Sequence, residues 1–135
     1  MIDVVAGVII KDNLILVARR AGHKHLGGFW EFPGGKVEQS ESQTDALCRE
    51  LDEELALHVR VGKKIEESIF QYETKKIRLI GFWCEWLSGE PRLEDHDSVQ
   101  WLEVHELSSL RWAPADIPIV DAVLVSGIPH FVDFP

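Results

Sequence analysis

The sequence predicts a mixed α/β sandwich, and three observations carry that expectation. Strand-like runs rich in Val, Ile and aromatic residues recur along the chain. Only two longer segments, near residues 41–56 and 116–126, have helical content. Those helices fall singly among the strands instead of alternating with them, which points to helices packed on a mixed sheet. With 135 residues the chain fits one compact domain over 1–135 and leaves no room for a second core. Hydrophobic residues make up 45% and charged residues 27%, which argues against disorder.

Each element follows from local chemistry. Ile2 to Lys11 is apolar and β-branched, Asp12-Asn13 marks a turn, and Leu14 to Arg20 runs apolar again, as in a hairpin. Ala21 to Gly28 holds three glycines and two histidines and suits a surface loop. Phe29 to Phe32 is a short strand stopped by Pro33-Gly34-Gly35. From about Glu41 to Ala56 there is no Gly or Pro, and Ser40 with Gln43 offers a capping box at the start. Leu47, Leu51 and Leu55 recur every four residues as one apolar stripe. Val59 to Tyr72 and Lys75 to Leu87 read as strands, followed by a charged loop to Asp97. Ser98 to Glu103 is another strand, His105 to Leu110 a short helical turn, and Asp116 to Ser126 a helix ending at Gly127.

The charge balance narrows the function. Net charge is −9, and an acidic surface repels a phosphate backbone, so a nucleic-acid polymer is not the expected partner. The apolar stretches are too short to span a bilayer, and Asp3 precedes the first of them with no basic region, so a cytoplasmic protein is expected. Cys48 and Cys84 lack metal-type spacing and are expected to be buried, reduced thiols. The six histidines show no zinc spacing, and most are expected in loops or at the surface.

The acids themselves are unevenly placed. Between Gly35 and Leu57 stand Glu38, Glu41, Asp45, Glu50, Asp52, Glu53 and Glu54, opposed only by Lys36 and Arg49. On a helix Glu50, Glu53 and Glu54 share an arc of about 100° beside the leucine stripe. Three like charges at such spacing destabilise a bare helix. Two readings are open: a solvated acidic face, or a site for a hard divalent cation, which takes carboxylate oxygens and keeps positions for phosphate. Gly34-Gly35, just ahead, permits a close backbone approach to a ligand. No H-E-x-x-H, G-x-S-x-G, C-x-x-C or Walker A pattern competes.

The spacing Gly35, five residues, Glu41, seven residues, then Arg49-Glu50-Leu51-Asp52-Glu53-Glu54-Leu55-Ala56-Leu57 resembles the Nudix box, G-x5-E-x7-R-E-U-x-E-E-x-G-U, with U a bulky aliphatic residue. Every fixed position matches except the last glycine, here Ala56. Ala18-Arg19-Arg20, Trp30 to Lys36 and Ala113-Pro114-Ala115-Asp116-Ile117-Pro118 extend the resemblance over essentially the whole chain, towards MutT-type pyrophosphohydrolases. At position 116 MutT carries Asn, and the Asp here is more similar to the CTP-type branch. The resemblance implies an α/β/α sandwich with a mixed β-sheet. It also implies hydrolysis of a nucleoside triphosphate, 8-oxo-dGTP or a cytosine-type substrate, to monophosphate and pyrophosphate. The further readings are another nucleoside diphosphate derivative, or a nucleotide-binding module without turnover. The oligomer expected is a monomer or weak homodimer.

Residue by residue, the resemblance implies Mg²⁺ or Mn²⁺ on Glu53 and Glu54, with Glu50 as ligand or water-orienting group and the Gly35 carbonyl as a further ligand. Arg49 holds the glutamates, and the general base is shared between Glu50 and Glu53. Asp95, six residues before Trp101, is a further metal ligand or simply a loop acid. Arg20 and Lys36 are phosphate partners or surface cations. Phe32 stacks on the base or belongs to the core. Asp116 reads the base or caps a helix; as an ionised carboxylate it would be acceptor-only and suit a base edge bearing N–H groups.

Overall fold

The structure, a computed structural model, describes residues 1–130; residues 131–135 of the expected domain lie outside the described residues. Seven strands and two helices follow in the order β1 (Ile2–Lys11), β2 (Leu14–Arg20), β3 (Trp30–Glu31), β4 (Gly34–Lys36), α1 (Gln43–Leu55), β5 (His58–Tyr72), β6 (Lys75–Ser88), β7 (His96–Leu102) and α2 (Ile117–Ser126). Short 3₁₀ turns at Val104–Ser109 and Pro114–Asp116 precede α2.

All seven strands join one sheet, with β3-β2-β1-β6-β5 as its main path, β4 beside β1 and β7 beside β2. The sheet is mixed: β1 and β6 run parallel, and the other pairs are antiparallel. Asp12 and Asn13 both take positive φ, 50° and 64°, which gives the β1–β2 connection the backbone twist a two-residue hairpin needs. Successive β1 residues face opposite layers. Val5 and Ile9 meet α1 through Leu47, Leu51 and Leu55, whereas Ala6, Val8 and Ile10 share the second core layer with Ile119, Val120 and Val123 of α2. Burial on both faces explains why β1 is apolar throughout rather than alternating. Each fully buried leucine of the α1 stripe contributes roughly 1.5–3 kcal/mol. The predicted α/β/α sandwich is the observed one.

Several local expectations shift. Helix α1 is capped by Ser42, not Ser40: the Ser42 hydroxyl accepts the Asp45 N–H at 3.1 Å, while Ser40 sits at φ 69°. Ser42 has the extended backbone an N-cap requires, and Ser40 does not. Glycines 34 and 35, expected to stop a strand and to allow a close backbone approach, form a strand of their own, β4, against β1, and a Cβ on Gly34 would overlap the Val5 carbonyl. The last strand begins two residues earlier than expected, at His96. Cys84 is buried, but Cys48 is exposed, correcting the expectation for that thiol. Among the described residues no helix is long and apolar enough to cross a membrane.

Candidate active site

A cavity of about 620 Å³ opens at one end of the sandwich. Its lining comes from almost every element: Arg20 closing β2, Glu31 and Phe32, Gly34 to Lys36, Glu50 and Glu54 of α1, Tyr72 closing β5, Asp95 and His96, and Ala113, Ala115 and Asp116 before α2. Strand and helix ends supply these side chains because backbone pairing stops there and the residues are free to turn into the opening.

The acidic helix divides its charges. Glu50 and Glu54, one turn apart, line the cavity. Glu53 stands outside that lining, 60% exposed, and takes Arg49 Nη1 at 3.2 Å. Arg49 is the hub of this flank. Its Nε and Nη2 grip Glu41 at 2.7 and 3.0 Å, its Nη1 reaches Glu50 at 2.9 Å, and Nη2 also donates to the Lys36 carbonyl at 3.1 Å. The two-point Arg49 contact holds the Glu41 carboxyl below its ordinary range. Gly35 presses so closely on Glu50 that a Cβ there would overlap its carboxyl, which is why this position of β4 needs glycine. Among the described residues Glu54 makes no ion pair. Burial first, then the charges of Glu50 and Asp95, push its pKa up to about 7.

Across the cavity, Asp95 is held by Lys24 at 2.8 Å, and that bond keeps its carboxyl below the ordinary range. Arg20 donates to the His25 carbonyl at 2.8 Å and faces Glu31 at 3.3 Å. Lys36 is exposed at the rim. Asp116 is buried, with 5% exposure, and its Oδ2 accepts the Phe32 N–H at 3.0 Å. It makes no side-chain bond to its own helix, so the capping reading is set aside. Burial, followed by the negative charge of Glu31, raises the Asp116 carboxyl well above the carboxylate range. Burial therefore works against the ionised, acceptor-only form expected from the sequence. Phe32 is buried against Trp112, 4.7 Å between ring centroids, and also lines the cavity.

Glu31, His96 and Tyr72 are among the lining residues that the sequence pattern does not single out. Glu31 lies inside the Trp30 to Lys36 segment but received no role. His96, buried, meets Glu31 Oε2 through Nε2 at 2.8 Å, unlike the surface position expected of most histidines. Tyr72 has no local signal beyond closing a strand.

A family model described as a NUDIX domain matches residues 5–122. The chain belongs to the Nudix hydrolase family. It is similar to the CTP pyrophosphohydrolase of Escherichia coli, at 37% identity over 92% of each chain. The 8-oxo-dGTP diphosphatase of Haemophilus influenzae is 32% identical, also over 92% of each. Among solved structures, the ORF135 protein of E. coli superposes with a TM-score of 0.80 at 36% identity, covering 96% of this chain and 94% of that one. The MutT protein of methicillin-resistant Staphylococcus aureus does so at 0.76 and 42%, covering 93% and 97%. Hydrolases of this family generally need a divalent metal.

The residues present fit such an ion. Two glutamates of one helix face the cavity, where burial first and then the neighbouring acids Glu50 and Asp95 raise the Glu54 carboxyl. Among the described residues no three Asp, Glu, His or Cys side chains converge as a ready-made cage. A hard cation such as Mg²⁺ needs only one or two carboxylates, its remaining positions being filled by water and substrate oxygens.

Proposed function

We propose that this Nudix hydrolase cleaves a nucleoside triphosphate to the monophosphate and pyrophosphate, with 8-oxo-dGTP or a cytosine-type triphosphate preferred. One observation carries the reading: a buried, hydrogen-bonded carboxyl at Asp116 lines the same cavity as the box glutamates Glu50 and Glu54. A base-sized apolar wall and a phosphate-sized acidic wall thus share one opening. The names of the E. coli and H. influenzae relatives support the same substrate class.

Mg²⁺ or Mn²⁺, when bound, cancels repulsion with the triphosphate and stabilises charge on the transferred group. Glu53 and Glu54, with Glu50 and the Gly35 carbonyl, would hold it, and Asp95, paired with Lys24 in this structure, would be a further ligand. Arg49 positions Glu50 and Glu53, and either carboxylate accepts the proton of the attacking water. Glu53 takes part by leaving Arg49 for the cavity. Arg20 and Lys36 meet phosphate oxygens, Arg20 as its hold on Glu31 loosens. Phe32 packs on the base, and Asp116 pairs with its edge while holding the Phe32 N–H.

The test is a panel of normal and oxidised ribo- and deoxyribonucleoside triphosphates with Mg²⁺, assayed for pyrophosphate and for phosphate. Pyrophosphate release with a marked preference for one base is expected. Release of phosphate alone, or activity confined to nucleoside diphosphate derivatives, would overturn the reading.

A further inference from the structure

Tyr72 is the last residue of β5 and the chain's sole tyrosine. Its ring is half-buried, packed on Phe70 at 4.6 Å between centroids and met edge-on by His25 at 5.8 Å. Its hydroxyl oxygen accepts the Ala115 N–H at 2.8 Å, which pins the end of β5 to the Pro114–Asp116 turn. A phenol also carries a donor. Among the described residues no acceptor takes that proton. Burial above all keeps the proton in place, raising the hydroxyl above its ordinary range. Tyr72 lines the same cavity as Phe32 and Asp116, and Asp116 directly follows the residue whose N–H the phenol holds. A committed acceptor and an unused donor therefore stand beside the carboxyl that faces the base.

We propose that Tyr72 is a specificity-determining residue: its O–H donates to an acceptor atom of the nucleobase, a ring carbonyl oxygen or ring nitrogen, on the edge that Asp116 addresses. Its oxygen meanwhile keeps the Ala115 N–H satisfied and the turn in place. The role presupposes the nucleotide reading above. Phenylalanine or any other apolar residue here would fill the space without the donor. A base lacking an acceptor at that point leaves the phenol proton unpaired on binding, so the residue discriminates as well as binds.

The experiment compares wild type with Tyr72→Phe, which keeps the ring and removes the hydroxyl. Calorimetry measures Kd for the monophosphates of each base and for ribose 5-phosphate. The variant is expected to lose about tenfold in affinity for the preferred base, with no change for ribose 5-phosphate. In turnover, kcat/KM for the preferred triphosphate falls by the same factor through KM, kcat moves less than about twofold, and the preference among bases is compressed. Equal losses for every base, the mark of a loosened turn, would overturn the assignment, and so would unchanged affinities. A second measurement needs no substitution. Wild-type protein labelled at the tyrosine ring carbon bonded to oxygen yields a single tyrosine resonance, which is expected to shift with the preferred monophosphate and not with ribose 5-phosphate. A resonance indifferent to the base overturns the proposal even where the variant folds poorly. Absence of pyrophosphate release by the wild type counts against the functional reading, and the affinity ratios judge Tyr72 separately.

Discussion

Asp116 and Glu54 show how one cavity sets two carboxyls above their ordinary range for different reasons. Burial dominates at both, but Asp116 has the Phe32 N–H as a partner and Glu54 is surrounded by the acids Glu50 and Asp95. A carboxyl with a raised folded-state pKa withdraws stability as pH rises through the interval above its unfolded value. Asn cannot titrate and keeps an oxygen for Phe32, so the Tm of Asp116→Asn is expected to gain on wild type as pH rises above the ordinary carboxylate range. Asp116→Leu strands the Phe32 N–H and should cost about 1–3 kcal/mol at any pH. A Tm difference between Asn variant and wild type that stays flat with pH would mean that Asp116 is ionised throughout. For Glu54 the window is set by its ordinary 4.5 and its value of about 7. In metal-free protein Glu54→Gln should therefore add stability above about pH 7 and none below about pH 4, by about 1–2 kcal/mol once partial solvent screening is allowed for. Melts of both proteins across that range check the sign; a Gln variant less stable than metal-free wild type at high pH would contradict it.

At the scale of the element, α1 combines a core stripe, a charged flank and a strained end. Ala56 caps it in the left-handed region, φ 57° and ψ 36°, and its N–H reaches the carbonyls of Asp52 and Leu51. This is the position where the family pattern carries glycine, and the αL backbone is the reason: only glycine adopts it without a Cβ penalty. The departure at Ala56 thus costs conformational energy without touching a carboxylate. Ala56→Gly is expected to stabilise the fold by about 1 kcal/mol, after allowing for the extra freedom glycine has when unfolded, and to leave kcat unchanged. A denaturant midpoint that falls instead of rising would show that the Ala56 methyl packs usefully. The same helix explains why Arg49 is not interchangeable with lysine. It serves Glu41, Glu50, Glu53 and the Lys36 carbonyl at once, which needs the planar fork of a guanidinium.

Across the whole molecule, the net charge of −9 and the carboxylates around one cavity make the metal-free protein a self-repelling object. A divalent cation is expected to raise Tm progressively with its concentration, adding about 2.7 kcal/mol of stability at a hundredfold excess over its Kd. Excess EDTA should remove that gain together with all turnover. Activity surviving in EDTA, or a Tm indifferent to Mg²⁺, would move the cation away from Glu50 and Glu54. The cavity itself is a product of the sheet. One edge of β1 is shared by β4 at its start and β2 at its end, and the Gly7 N–H bonds the Pro33 carbonyl at 2.8 Å between them. Segments far apart in sequence meet at this divided edge.

What the sequence determined by itself was local. The Gly35 to Leu57 spacing lies within one stretch of chain, and helical periodicity converts it directly into a leucine stripe and an acidic flank. The two-sided burial of β1 is likewise written in its unbroken apolar run. Periodicity could not tell that Glu53 stays outside the cavity while Glu50, also gripped by Arg49, and Glu54 line it, because a helix angle places a Cβ and not the partners of the side chain. Nor could it place Ser42 rather than Ser40 at the cap, a choice made by backbone dihedrals. Only the tertiary structure decided the partners across the cavity. His96 meets Glu31, Asp116 meets the Phe32 N–H, and the Ala115 N–H meets Tyr72 through pairings 65, 84 and 43 residues apart. Such contacts depend on how strands β2, β5 and β7 register and where they end, and burial around the cavity they form raises the Asp116 and Glu54 carboxyls.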